Sequence, residues 1–216
     1  MITKNLQKRI FTSLALLFSI FLIFNSNVIL IYFLLLLSVL SIIEFINLIN
    51  KISLSRLMIV LTNLFFIFYI FVFCLIFFLF SNIFGLKIIL FILLIGCVAS
   101  DIGGFICGKK FKGPKLTKIS PNKTYSGAIG SILFTLIVVS LLFFSLIEYY
   151  NYKVILISLT TSIFCQIGDL IFSFLKRKAK IKDTGNILPG HGGVLDRLDG
   201  ILLGVPFGYL SLILLN

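Results

Sequence analysis

The sequence predicts an all-α polytopic membrane protein with about seven transmembrane helices and two polar loops on the cytoplasmic side. Hydrophobic residues make up 60% of the 216 residues, which is more apolar surface than a water-soluble domain of this size can bury. These residues also form long runs, each close to the roughly 20 residues that a helix needs to cross a bilayer. Little length remains for a separate soluble domain, so we expect the function to be carried out in or at the membrane.

Three apolar runs occupy the N-terminal region, residues 1–85. The first, residues 10–24, follows a basic start as a signal peptide does, but no small-residue cleavage site comes after it. We therefore expect a retained first helix. The second and third runs, residues 28–49 and 57–80, are long enough to cross the bilayer, and Glu44 lies near the end of the second.

The second region, residues 86–216, contains four further apolar runs, at residues 86–107, 125–147, 154–175 and 200–215. Polar loops occur at residues 109–125 and 176–199. Small residues crowd the second half of the run at residues 86–107, where they let helices or ligands approach closely. Asp101 lies among them, and an acid at that depth is costly unless it has a partner or lines a wet cavity.

The distribution of cations predicts the orientation of the chain. With seven spans, all 19 Lys and Arg residues except Lys87 and Lys153 fall on one side. Short loops rich in Lys and Arg stay in the cytoplasm, so both polar loops should face the cytoplasm from the inner membrane of the cell. The same topology, together with anionic headgroups, accounts for the net charge of +12, and we do not expect nucleic-acid binding.

Cysteine usage gives no sign of a disulfide framework or a zinc site. The four cysteines are scattered in or at the edge of apolar stretches, without a C-x-x-C pair, at Cys74, Cys97, Cys107 and Cys165. We therefore expect buried free thiols.

Acidic residues with the spacing of a metal site flank the loop at residues 176–199. Asp169 and Ser173 are four residues apart and lie on one face of the predicted sixth helix, while Asp196 and Asp199 are three apart at the start of the last helix. Oxygen donors that meet from neighbouring helices suit Mg²⁺, which takes only a few carboxylates beside water and substrate phosphates. A structural alternative stays open, in which Asp196 or Asp199 is a helix cap or a first-turn acid stabilised by the helix dipole.

The same loop contains the cations and glycines that a polyphosphate requires. The candidates are Lys176, Arg177, Lys182, Arg197, Gly192 and Gly193. For Lys178 and Lys180 a simpler interpretation is that they anchor the end of the helix at the lipid headgroups. His191 could be a general base, a hydrogen-bond donor to phosphate or a loop residue with an unusual backbone conformation. No P-loop motif is present, and no nucleophile-plus-base pattern surrounds His191.

These residues form a signature that resembles that of the phosphatidate cytidylyltransferases, the CDP-diacylglycerol synthases. The signature comprises S-F-L-K-R at residues 173–177, K-D at 182–183 and P-G-H-G-G-V-L-D-R-L-D at 189–199. The earlier polar region is similar too, at Asp101, Gly104, Gly108-Lys109, Lys115-Leu116, Ser120-Pro121, Lys123-Thr124 and Gly127. The resemblance covers roughly the C-terminal half of the chain, which is shorter than many members of that family.

The resemblance implies transfer of a cytidylyl group from CTP to phosphatidate, giving CDP-diacylglycerol and pyrophosphate for phospholipid biosynthesis. It implies Mg²⁺ as cofactor, with a monovalent cation as a candidate second ion, and Asp169, Asp196 and Asp199 as metal ligands. The expected catalytic residues are Asp196, Asp199, Lys182, Asp183 and His191. The expected substrate-binding residues are Ser173, Lys176, Arg177, Arg197, Gly192, Gly193 and Lys123. The expected partners are CTP, phosphatidate and the bilayer, with a homodimer as a further candidate.

Two other functions remain open at the level of the sequence. An enzyme that uses CTP to phosphorylate a polyprenol or another lipid alcohol would attack the γ- rather than the α-phosphorus. A transporter could use Asp101 and Asp169 as ion or proton sites, although the sequence shows no inverted repeat. Recognition of cytosine is not assigned by any motif, and the candidates are Asn122, Asn186 and Gln166.

Overall fold

The computed structural model describes residues 18, 21–117, 120, 123–148, 151–187 and 192–215. The helices in this part of the chain include α1 (Asn27–Asn50), α2 (Arg56–Ser81), α3 (Phe84–Phe111), α4 (Tyr125–Ile147), α5 (Tyr152–Lys178), α6 (Leu195–Leu198) and α7 (Ile201–Leu215). Within the described ranges there is no β-strand, and Lys115 and Thr124 form an isolated antiparallel bridge. The predicted all-α polytopic fold is confirmed.

Six segments of the described chain are long and apolar enough to cross a membrane, the last of them comprising α6 and α7. They correspond to the predicted second to seventh spans, with ends that differ by a few residues. Residues 21–25 are helical as well, but most of the predicted first span, residues 10–24, lies outside the described residues. In a bilayer, helices satisfy every backbone N–H and C=O within the segment, so uninterrupted apolar runs become helices.

Side-chain caps explain where three of the helices begin. Ser26, Ser55 and Thr124 have extended backbone conformations, and their hydroxyls accept hydrogen bonds from N–H groups in the first turns of α1, α2 and α4. Such caps satisfy donors that have no partner within the helix. Thr124 is the last residue before α4, and Lys123 directly precedes it.

The chain forms two compact units. The first comprises Met1–Asn82 and Leu175–Leu198, and the second comprises Ile83–Phe174 and Asp199–Asn216. In the first unit α1 packs against α2, with the rings of Phe45 and Phe66 stacked at 3.8 Å, and α6 contacts α1. The boundary of this unit lies near the predicted one at residue 85, but the unit also includes most of the loop at residues 176–199. The division into regions 1–85 and 86–216 stays a prediction.

In the second unit α3 and α4 lie against each other through small residues, as the cluster around Gly103 led us to expect. A Cβ atom on Gly130 would lie 2.6 Å from Cys107 Sγ and 2.8 Å from the Gly103 carbonyl oxygen. All four cysteines are free, and Cys97 and Cys165 are buried, whereas Cys74 and Cys107 are half-buried. The four cysteines are thus free as expected, but the expected burial holds only for Cys97 and Cys165. Glycine at position 130 is required by the close approach of the two helices.

We expect Gly130→Ala to lower stability by about 1–3 kcal/mol, because the added methyl group must displace Cys107 or the α3 backbone. The thermal midpoint of the purified protein in detergent measures this effect. Gly85→Ala is the matched control, since a Cβ atom there meets nothing within 4 Å. Equal midpoints for the two variants would contradict the packing argument.

Candidate active site

Asp196 is the centre of a hydrogen-bonded cluster in the first unit. Its Oδ1 accepts a hydrogen bond from Lys176 Nζ at 2.7 Å, and the exposed fractions of the two side chains are 7% and 13%. Its Oδ2 accepts from the backbone N–H groups of Thr184 at 2.8 Å and Gly193 at 3.0 Å. One carboxylate thus joins the end of α5 to two separate points of the loop that precedes α6.

Two further residues of the signature, Asp183 and Gly192, lie next to this cluster. Gly192 has a φ of +83°, a backbone conformation that residues other than glycine rarely adopt. A Cβ atom on Gly192 would lie 3.1 Å from Asp196 Oδ2 and 3.5 Å from Asp183 Cβ. Asp183 and the Asp196 carboxylate therefore both lie beside Gly192.

A second set of polar residues lies in the second unit. Lys123 Nζ donates to Asp169 Oδ2 at 2.9 Å, and the exposed fractions of these side chains are 30% and 20%. The pair borders a cavity of about 280 Å³ whose other lining residues include Asp101, Gly104, Ser131 and Gln166. Asp101 therefore lines a cavity within this unit, next to the Lys123–Asp169 pair.

Asp169 also lies close to the start of α7 within this unit. A Cβ atom on Gly200 would lie 3.0 Å from Asp169 Oδ1, and one on Gly168 would overlap the carbonyl oxygen of Asp199. Asp199 Oδ1 accepts from the N–H of Gly200 at 3.0 Å. The glycines at positions 168 and 200 thus allow α5 and the turn before α7 to bring Asp169 beside Asp199.

Comparison with known sequences assigns the family. Residues 6–215 match the model of the cytidylyltransferase family. The chain belongs to this family. The match covers nearly all of the chain, so the family resemblance seen in the C-terminal half is confirmed and extends to the N-terminal spans.

The relatives of this cytidylyltransferase-family protein include several proteins named phosphatidate cytidylyltransferase. The chain is 44% identical over 123 residues to the phosphatidate cytidylyltransferase of Bacillus subtilis (strain 168). The aligned region covers 55% of the chain and 45% of the relative. The chain is 47% identical over 114 residues to that of Rickettsia bellii (strain RML369-C), with 49% of each covered. For that of Helicobacter pylori (strain J99 / ATCC 700824) the identity is 42% over 120 residues, covering 56% and 44%. The chain spans about half the length of the curated relatives it matches.

The predicted site residues of this family member divide between the two units. The structure brings Lys176, Asp183, Gly192, Gly193 and Asp196 together in the first unit. Arg177 and Lys182 are exposed there, and Arg197 lies in α6. Lys123, Asp169, Ser173 and Asp199 belong to the second unit. His191 and Asn122 lie outside the described residues, whereas Gln166 lines the cavity of the second unit and Asn186 is exposed.

No group of three or more His, Cys, Asp or Glu side chains converges as metal ligands in the part of the chain that the structure describes. Mg²⁺ does not need such a group, because it usually takes one or two carboxylates together with waters and substrate phosphates. Asp169 and Asp196 each bind a lysine ammonium, so both carboxylates lie where a positive charge is favourable. Mg²⁺ as cofactor and the three-aspartate ligand set both stay predictions.

The site contains one residue that the sequence analysis did not assign to it. Glu44 of α1 is only 3% exposed and accepts hydrogen bonds from Thr184, Val194 and Leu195 within the first unit. The sequence did indicate Glu44 in one way, because it is the single charged residue in an apolar helix of 24 residues. An ionisable residue in such a helix is by default a functional candidate.

Proposed function

We propose that this protein transfers the cytidylyl group of CTP to phosphatidate, giving CDP-diacylglycerol and pyrophosphate. Family membership and the names of the relatives support this function. The observation that carries it is the cluster of Lys176, Asp183, Gly192, Gly193 and Asp196, which assembles separate parts of the signature around one carboxylate. We do not propose nucleic acid as a partner. A homodimer remains a candidate assembly.

The proposed chemistry needs no protein nucleophile. An oxygen of the phosphatidate phosphate attacks the α-phosphorus of CTP in line, and pyrophosphate departs with increased negative charge. Lys176, Arg177, Lys182 and Arg197 would bind phosphate oxygens, Arg through paired N–H groups and Lys as a point charge. Positioning and electrostatic stabilisation then supply most of the rate, as in other phosphoryl-type transfers.

Mg²⁺ is the proposed cofactor. Its candidate ligands, as the family resemblance implies, are Asp169, Asp196 and Asp199. When bound, it would neutralise charge on the phosphates of CTP. A monovalent cation as a second ion, and His191 as a proton donor or acceptor, are part of the same proposal. Asp183 and Ser173 would contribute polar contacts from their places beside Asp196 and near the end of α5.

Two labels in one assay test this function against the lipid-kinase alternative. The purified protein is incubated with phosphatidate or a polyprenol, Mg²⁺ and CTP labelled either in the cytidine ring or at the γ-phosphate, and the lipids are extracted. Cytidine label in the lipid phase, formed only with phosphatidate, is the expected result. Label from the γ-phosphate alone would establish the kinase reaction instead. Absence of both labels from every lipid would refute both enzymatic functions.

We further propose that the loop at residues 176–199 faces the cytoplasm, which the distribution of cations supports. A cysteine in place of exposed Asn186 should react with a membrane-impermeant maleimide in inverted membrane vesicles and stay unreactive in right-side-out vesicles. Asn82→Cys is the matched control, because this exposed residue follows α2 at the opposite predicted side and should show the reverse pattern. The same pattern for both variants would contradict the orientation.

A further inference from the structure

Glu44 is enclosed by the loop that contains Asp196. Its Oε1 accepts a hydrogen bond from the N–H of Val194 at 3.0 Å. Its Oε2 accepts from the N–H of Leu195 and from Thr184 Oγ1, both at 2.8 Å. Both carboxylate oxygens are therefore used, and each bond reaches the loop across 140 or more residues of sequence.

Two glycines allow the loop to approach this carboxylate so closely. A Cβ atom on Gly185 would lie 2.5 Å from Glu44 Oε1, and one on Gly193 would lie 2.7 Å from the same oxygen. A larger residue at either position would force the Glu44 carboxylate or the loop to move. The sequence around the carboxylate is thus adapted to the contact from both sides.

The segments that Glu44 binds are the same segments that Asp196 binds. Thr184 donates its hydroxyl to Glu44 and its backbone N–H to Asp196. Gly193 donates its N–H to Asp196, while the next two residues along the chain donate theirs to Glu44. Since Leu195 directly precedes Asp196, the bond to its N–H sets the direction from which Asp196 enters the cluster.

We propose that Glu44 is a positioning residue for the transfer reaction, acting through the loop rather than on a substrate. Its carboxylate holds Thr184 and the first turn of α6, and so keeps Asp196 and Lys176 in one arrangement. This role rests on the proposed function of the loop. An acid in an apolar helix is costly, and here three N–H or O–H donors offset that cost.

Glu44→Gln is the most direct test, because glutamine keeps the size of the side chain but replaces one acceptor oxygen with an NH₂ donor. That donor must face a backbone N–H or displace the loop. We expect kcat to fall at least about tenfold, since misplacement of a catalytic group by ~1 Å costs up to about a hundredfold, while KM for CTP changes little. Hydrogen exchange of peptides covering residues 192–199 should become faster.

Ser41→Ala is the matched control. Ser41 lies on the same helix, is fully buried, and its hydroxyl has no hydrogen-bond partner in the described structure. Its replacement should leave kcat, KM and exchange near residues 192–199 at the wild-type values. A comparable loss of activity in Ser41→Ala would mean that any change in this helix disturbs the protein, and would overturn the specific role of Glu44.

The remaining outcomes are separable. Unchanged hydrogen exchange of residues 192–199 in Glu44→Gln would show that Glu44 does not hold the loop. Faster exchange with an unchanged kcat would show that holding the loop does not affect the reaction, and would refute the positioning role. If wild-type protein transfers no cytidylyl group, the proposed function fails, and exchange alone then decides whether Glu44 holds the loop. Should Glu44→Gln fail to fold, Thr184→Val and Thr184→Ser replace it. Only serine keeps the hydroxyl bond, so equal activity of these two variants would overturn the proposal.

Discussion

Replacement of Asp196 by asparagine is expected to lower the rate of cytidylyl transfer by about a hundredfold or more. The carboxylate accepts from three donors, namely Lys176 Nζ and the N–H groups of Thr184 and Gly193. An amide offers one acceptor oxygen, and its NH₂ group would face at least one of these donors. It also removes the negative charge that pairs with the largely buried ammonium of Lys176.

The measurement is the transfer of cytidine-ring label into lipid at saturating CTP and Mg²⁺, with the thermal midpoint recorded in parallel to separate catalysis from folding. Glu148→Gln is the matched control, because it makes the same acid-to-amide change at an exposed residue. Wild-type activity in a folded Asp196→Asn protein would remove Asp196 from the proposed mechanism. A stable but inactive variant would support it.

Replacement of Lys123 by methionine is expected to lower kcat/KM about ten- to a hundredfold and to reduce stability by about 1–2 kcal/mol. The variant leaves the Asp169 carboxylate without its ammonium partner at a cavity that Asp101 also lines. The stability effect is modest because both side chains are partly exposed. The activity effect is larger because both residues belong to the proposed substrate and metal sites.

The double variant Lys123→Met/Asp169→Asn distinguishes these two effects. Removing both charges should restore most of the stability, since no uncompensated charge remains, but should not restore activity. Lys110→Met is the control for loss of a cation from the same region of the chain, because Lys110 is exposed at the end of α3, where its ammonium lies 5.8 Å from the centroid of the Phe111 ring. If kcat/KM of Lys123→Met equals that of Lys110→Met, the cavity takes no part in the reaction.

The spans of the protein could be predicted from the sequence because the rule that sets them is local. An apolar run of sufficient length must be helical in a bilayer, and the predicted span at residues 125–147 coincides with α4. The family could be predicted for the same kind of reason. The signature at residues 173–199 is a pattern of residue types at fixed spacing, and it is readable without coordinates.

What only the tertiary structure decided is which distant residues meet. Glu44 and Val194 are 150 residues apart, and no periodicity or spacing relates them. Lys123 pairs with Asp169 across 46 residues rather than with another of the acids, and no sequence pattern predicts this choice. Such contacts depend on how the helices pack and on where glycines allow close approach. The sequence by itself therefore determined the membrane-spanning helices and the family, whereas packing decided the partners of Glu44, Asp169 and Asp196.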